Sequence, residues 1–324
     1  MKTRRNAIAL LWILGQSFTA AFMAPLLAAT TTTAATNPDV DTVTPIALKD
    51  VATKVAVAGA TGRTGRFVVD YLLEQQISVV AMVRTKDKAK EVFSDPLPEG
   101  LEVVACDLSK EDKIKEAVEG CDAAIWCATG FSDAPDSPWN KVKKLFGIAL
   151  APQQSIDVVG VPALAKCFSD SDHNTKCPKI VMLSSAGVTR PSWSEQKKAM
   201  FPGSAEIPIV RLNPFGILDI KRESEEKLRE SGVDYCIVRP AGLNDKVWPS
   251  GCRPVFSQGD IAAGRTTRKD VAKVLVDVLA APEATGKTFE FITLAGYPPA
   301  RSLGPALSKL KLDSEGLPSM EAMA

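Results

Sequence analysis

The chain has 324 residues, 45% of them hydrophobic, with 39 basic against 38 acidic side chains, enough for one large α/β domain once a targeting segment is set aside. The balanced charge, without any long basic block, excludes a nucleic-acid-binding stripe and a polybasic membrane anchor. Seven cysteines, an odd number with no C-x-x-C pair, exclude a disulfide framework.

The N-terminus reads as targeting sequence. Lys2, Arg4 and Arg5 precede an apolar run over 7–14, and small residues follow through Ala21, the layout of a secretory signal peptide over 1–21. The run is shorter than the ~20 apolar residues that cross a bilayer, so cleavage is expected, with no transmembrane segment in the mature chain. Residues 22–50 form a transit-peptide-like segment. Its part "AFMAPLLAATTTTAATNP" (21–38) is uncharged and hydroxyl-rich. It resembles the presequences of algae with secondary plastids, in which an aromatic residue, here Phe22, heads the transit portion. The implied address is the plastid, whose reducing stroma suits the unpaired cysteines, and secretion is the alternative.

Residues 51–296 carry the folded domain. Short runs rich in Val, Ile and Ala at 55–58, 78–83, 101–106, 123–128, 180–183, 235–238 and 289–293 read as strands buried on both faces. Amphipathic stretches at 65–75, 110–119, 162–168, 217–230 and 269–279 read as helices between them. Such alternation predicts right-handed βαβ units, hence a doubly wound parallel sheet in a single α/β domain. Two irregular stretches, 129–154 and 186–214, leave the carboxyl ends of strands, where ligands bind in such sheets, and are expected to form a small substrate region. The tail over 297–324 is expected to be peripheral.

The first strand runs into "GATGRTG", and a helix follows. A glycine loop there lets backbone amides at a helix start approach a diphosphate. Gly59 is expected to make the turn, Gly62 to admit the diphosphate and Gly65 to pack helix on strand, with Thr61, Arg63 and Thr64 beside the phosphates. This makes the fold Rossmann-like. The second strand ends in Arg84, where an NAD site would have a carboxylate for the ribose. A guanidinium there pairs with a 2′-phosphate, and Arg63 with Lys86 or Lys88 adds charge, so NADP(H) is expected ahead of NAD(H). Asp107, after the third strand, is placed to accept the adenine amino group, with Leu108 next to it.

These residues, with "CDL" (106–108), "CATGF" (127–131), "VMLSSAGV" (181–188), "KRESEEKLRESGVDYCIVRPAGL" (221–243) and "GRTTRKDVAKVLVDVL" (264–279), resemble the atypical short-chain dehydrogenase/reductases. The likeness is to the single-domain plastid NAD(P)-binding proteins, related to flavin and biliverdin reductases and NmrA-like proteins, and covers nearly all of 54–294. It implies that Ala128, Thr129 and Gly130 line the adenosine-ribose side. It puts Ser184 and Ser185 near the nicotinamide, Lys221 on the nicotinamide ribose, and Pro240, Ala241, Gly242 and Leu243 around the ring. Ser185 and Lys221 are the implied catalytic residues.

One position departs from the family pattern. Where typical members have Tyr-x-x-x-Lys, this chain reads Ile217-Leu218-Asp219-Ile220-Lys221. Without the phenol, ketone–alcohol chemistry loses its acid, and hydride transfer to a planar acceptor such as a quinone or flavin is favoured, with water or Ser185 supplying the proton. Phe131, Trp139 and Trp193 are candidate stacking partners for that acceptor. The rival expectation is a non-catalytic NADP(H)-binding redox sensor or photosynthetic assembly factor with a protein partner in the plastid; an epimerase- or dehydratase-like enzyme is a third. No metal is expected: Cys167, His173 and Cys177 lie close together in sequence but lack a fourth ligand.

Overall fold

The computed structural model of the chain describes residues 46–129, 155–169, 176–213 and 216–316. The presequence up to residue 45, Gly130, Phe131, Trp139 and His173 lie outside these residues.

Six parallel strands carry the fold: β1 (Lys54–Ala58), β2 (Ser78–Val83), β3 (Leu101–Ala105), β4 (Ala123–Trp126), β5 (Ile180–Leu183) and β6 (Tyr235–Pro240). The sheet is completed by β10 (Lys287–Leu294), parallel to β6, and by the edge strand β8 (Arg253–Ser257), antiparallel to β10. The order is β3-β2-β1-β4-β5-β6-β10-β8, so the winding reverses between β1 and β4. A crevice opens at the carboxyl ends of strands where such a reversal occurs.

Both faces of the sheet are covered, which is why the strands read as unbroken apolar runs. Along β1 the strand period sends Val55 and Val57 to one core and Ala56 and Ala58 to the other. The first core packs under α1 (Gly65–Glu74), α2 (Lys86–Phe93) and α9 (Arg268–Asp277), with Val68, Leu72, Val271 and Leu275 fully buried. The second packs under α3 (Glu111–Ala117), α4 (Ile156–Phe168) and α8 (Ile217–Glu230), through Ile114, Val161, Leu164 and Leu228. Each such side chain taken out of water stabilises the fold by roughly 1.5–3 kcal/mol.

Several elements differ from the sequence-based expectation. Helix α4 begins at Ile156, before Pro162, because the Ser155 hydroxyl caps it by accepting from the Asp157 amide. Helix α2 was not expected, since its charged surface leaves only Ala89 and Phe93 buried. A two-residue parallel ribbon, β7 (Gly242–Leu243) with β9 (Arg265–Thr266), lies beyond the end of β6. The stretch over 186–213 holds three short helices, α5 (Glu195–Met200), α6 (Pro202–Ala205) and α7 (Pro208–Leu212).

The tail is not peripheral as far as Gly316. Leu303 and Leu307, at helix α10 (Gly304–Leu307), are buried in the first core. Asp313 accepts from the Thr288 amide at 2.8 Å, Tyr235 Oη at 2.9 Å and Arg229 Nε at 3.0 Å. At the other end Leu48, inside the segment assigned to targeting, is 5% exposed and packs in the same core. The folded body thus begins ahead of residue 51 and extends past 296.

Candidate functional site

The turn after β1 is built around two close approaches. Gly59 has φ +75°, and a Cβ on it would lie 2.7 Å from Ala128 Cα, so only glycine lets β1 and β4 close up here. Gly65 opens α1, and a Cβ there would collide with the Gly59 carbonyl oxygen. The Gly62 amide donates to that oxygen at 2.9 Å. Among the described residues the amides of Thr61, Arg63 and Thr64 have no backbone acceptor, and they sit where the helix dipole adds positive potential.

This turn forms one wall of a cleft of about 1850 Å³ at the carboxyl ends of the parallel strands. Single-ligand pockets are typically ~300–1,000 Å³, so a dinucleotide and a second molecule both have room. Gly59, Thr61, Gly62, Arg63 and Thr64 line it, as do Arg84 and Lys88 after β2, and Asp107 and Leu108 after β3. Ala128 and Thr129 follow β4, Ser184 and Ser185 follow β5, and Pro240 ends β6 with Ala241, Gly242 and Leu243 after it. Lys221 enters from α8. Gly65 stands behind the turn, outside the lining. Lys86 does not line the cleft, whereas Lys110 and Lys113, not anticipated, do.

Charge is distributed unevenly. The lining includes Arg63, Arg84, Lys88, Lys110, Lys113, Arg190, Lys221, Arg265 and Arg268, while Asp107 is its one carboxylate among the described residues. The Asp107 carboxyl is held below its usual range by hydrogen bonds from the Ser109 hydroxyl (2.7 Å) and amide (3.0 Å), both to Oδ1. It is therefore an ionised acceptor.

At the opposite end Lys221 is 8% exposed, and its Nζ lies 3.8 Å from Asp157 Oδ1. Asp157 is itself fixed by Trp126 Nε1 at 3.3 Å and by the Ser155 hydroxyl at 3.3 Å. Burial pushes the Cys127 thiol up to about 12, against a smaller opposing effect of the Lys221 charge, so this cysteine is a neutral thiol. Ser185 Oγ donates to the Ala186 carbonyl at 3.0 Å. Ile217 lines the cleft one helical turn before Lys221, and no tyrosine does so among the described residues.

Two buried ion pairs that the sequence reading missed hold these walls. Arg190 and Asp260 have fully buried side chains, and Arg190 donates to the carbonyls of Asp260 (2.7 Å), Ser204 (2.9 Å) and Ala262 (2.7 Å). Asp260 accepts from the amides of Gly187 (2.6 Å) and Thr189 (2.8 Å). Glu225, one turn beyond Lys221, takes Arg239 bidentately at 2.9 and 2.5 Å. Burial by itself would raise the Glu225 carboxyl; Arg239 and Arg229 outweigh it and hold the group below the usual range. An arginine inside the apolar run "YCIVRP" was the available signal for this pair. Trp193, a candidate stacking residue, does not line the cleft; it is 7% exposed and packs against Phe201, Lys197 and Arg190.

Among the described residues no group of three or more His, Cys, Asp or Glu stands together to hold a metal. No described helix is long and apolar enough to cross a membrane.

Comparison with known proteins identifies the family. A family model described as NAD(P)H-binding matches residues 59–282. An uncharacterized chloroplastic protein of Arabidopsis thaliana is 30% identical over 249 residues, covering 76% of this chain and 78% of its own length. The structure of ChuY, an anaerobillin reductase from Escherichia coli O157:H7, matches with TM-score 0.51 at 20% identity, covering 76% of this chain and all (100%) of its own. A wide-type short-chain dehydrogenase/reductase from Veillonella parvula, solved in complex with NADP, matches with TM-score 0.50 at 16% identity, covering 77% and 99%. At these identities the two structures establish a shared fold. The chain belongs to the NAD(P)H-binding family of atypical short-chain dehydrogenase/reductases.

Proposed function

We propose that this chain is an NADPH-dependent oxidoreductase that reduces a planar acceptor such as a quinone or flavin, and that it works in a plastid. The observation that carries the reading is a cleft with two chemistries. Open backbone amides and cations stand at one end, and apolar walls meet Ser185 and Lys221 at the other.

The residues present fit the nucleotide. At Gly59 and Gly65 the turn has no room for a Cβ, and Gly62 adds no side chain, which suits a diphosphate lying on backbone amides. The excess of cations suits a ligand with a diphosphate and a 2′-phosphate, and Arg84 stands where a carboxylate would favour NAD(H). The Lys221 ammonium, held from behind by Asp157, is the donor this reading gives the ribose hydroxyls. The V. parvula relative with NADP supports the same cofactor choice.

When bound, reduced nicotinamide supplies one hydrogen with two electrons; a quinone needs one further proton to leave as hydroquinone. Ser185 Oγ or water is the source of that proton. Cys127, as a neutral thiol, is not a nucleophile, and the wall position before Lys221 is held by apolar Ile217. An acceptor that spreads the incoming charge over a ring needs no stronger acid. The chloroplastic relative supports the plastid address.

The test is anaerobic stopped-flow oxidation of protein-bound NADPH by a panel of quinones and flavins. Turnover with at least one acceptor is expected. Tight NADPH binding with no turnover would replace the reading with a cofactor-responsive sensor or assembly protein. A fluorescent fusion of residues 1–50 is expected to enter plastids, and its secretion would refute the address.

A further inference from the structure

We propose that the acceptor reduced in this cleft carries an apolar tail, which leaves the site between α7 and the turn after Leu243. The inference rests on the reductase reading above and names the substrate class for the same site.

The half of the cleft facing away from the glycine turn is walled by Leu183, Pro208, Ile209, Ile217 and Leu218. Arg190 borders it but gives its N–H groups to three carbonyls and has no exposed side-chain surface, so it is not offered to a charged headgroup.

On each of two lining segments an exposed apolar residue lies a few positions beyond a lining one. On one lip, Ile209 lines the cleft and is 37% exposed, and Leu212, three residues on along α7, is 69% exposed. That spacing puts them on one side of the helix, while Val210 is buried and anchors it. On the other lip Leu243 lines the cleft at 38% exposure, and Val247 is 81% exposed. Val247 is held outward by a fixed turn: Asn244 Oδ1 accepts from the Lys246 and Val247 amides, and Trp248 Nε1 donates to Thr293 Oγ1 at 2.9 Å. Scattered exposed apolar residues are ordinary. Here Leu212 and Val247 follow, three and four residues on, two residues that line one cleft, Ile209 and Leu243, on segments distant in sequence. A strip of this kind favours a hydrocarbon chain, each fully buried methylene being worth about fourfold in affinity.

The test uses benzoquinones with one ring and varied tails: methyl, pentyl, decyl, and a carboxyalkyl tail of decyl length. We expect kcat/KM to rise at least about tenfold from methyl to decyl, the strip covering only part of the chain. The variant Leu212→Asp/Val247→Asp is expected to cut that ratio severalfold. Both side chains are exposed, and circular dichroism checks that the fold is kept. Equal rates for methyl and decyl would overturn the tail while leaving the reductase reading in place. A preference for the carboxyalkyl tail would also overturn it, pointing to the exposed Arg265 beside Gly242. Tail dependence unchanged in the double variant would place the chain elsewhere and refute the route. Reduction of none of the quinones would overturn the underlying reading and this inference together.

Discussion

Replacing Arg84 by aspartate tests the cofactor choice most directly. Arg84 follows the last residue of β2 and lines the cleft together with Lys88 and, across the glycine turn, Arg63. A charge-assisted hydrogen bond from a guanidinium to a phosphate contributes about 1.5–3 kcal/mol. Arg84 is exposed, so the lower part of that range applies. A carboxylate in its place adds repulsion: at ~5 Å in water-like surroundings each pair of unit charges costs about 0.8 kcal/mol, and a 2′-phosphate carries between one and two charges at neutral pH. The sum is about 3 kcal/mol, or roughly 150-fold in the NADPH dissociation constant. NADH lacks the 2′-phosphate, and its affinity is expected to change by no more than about threefold. Titration calorimetry of parent and Arg84→Asp with both cofactors, at one fixed low salt concentration, gives the two ratios. Equal weakening of NADPH and NADH, or no change in either, would refute the assignment of Arg84 to the phosphate.

Gly65→Ala drives a methyl group against the Gly59 carbonyl, and is expected to cost about 2 kcal/mol, a fall in Tm of roughly 4–8 °C by differential scanning calorimetry. Leu307→Ala, in the segment that sequence reading left at the periphery, empties a fully buried site and should lower the urea-unfolding free energy by about 3 kcal/mol; a change under 0.5 kcal/mol would contradict the packing described. The pH dependence follows from Glu225, whose carboxyl is held below its usual range in the fold. Its contribution is present above the unfolded value, near pH 4.3, and is lost as pH falls through the folded value. Glu225→Gln, which leaves the buried Arg239 without its charged partner, is expected to cost about 3 kcal/mol at pH 7. It should also flatten the acid side of the stability profile, read from urea midpoints between pH 7 and about pH 2.5.

The strands and the glycine turn were legible because their causes are local. Double-sided burial makes a strand apolar throughout, and a turn closed to side chains needs glycine at fixed spacing, as at Gly59 and Gly65. The residues named for the cofactor, apart from Gly65, Lys86 and the undescribed Gly130, line one cleft, most of them because they follow the ends of successive parallel strands and Lys221 because α8 packs beside them. What the sequence hid depends on distant pairing. Nothing near Arg190 announces Asp260, 70 residues away. The same holds for Asp313, whose partners Arg229 and Tyr235 lie 84 and 78 residues before it. Arg265 and Arg268 lie just ahead of the helix expected over 269–279, and the pairing of β7 with β9 brings Arg265 beside Gly242 at the cleft.

The placement of the buried ion pairs bears on how the site keeps its shape. Removing two charges from water offsets most of what their attraction returns, so Arg190–Asp260 and Glu225–Arg239 are weak candidates for stabilising the fold as a whole. Their hydrogen bonds are nevertheless directional in a way that apolar contacts are not. Arg190 and Asp260 together fix the positions of five backbone groups, the Gly187 and Thr189 amides and the carbonyls of Ser204, Asp260 and Ala262, on segments next to the cleft wall. Glu225 meets both nitrogen positions of the Arg239 fork, which sets the rotation of α8 against β6 and thereby the direction from which Lys221 enters. An apolar replacement would keep α8 on the sheet but leave that rotation free to drift, and the proposed hydride transfer would lose rate steeply if the reacting groups shifted by about 1 Å. The pairs are therefore better understood as fixing the geometry of the cleft than as holding the protein folded.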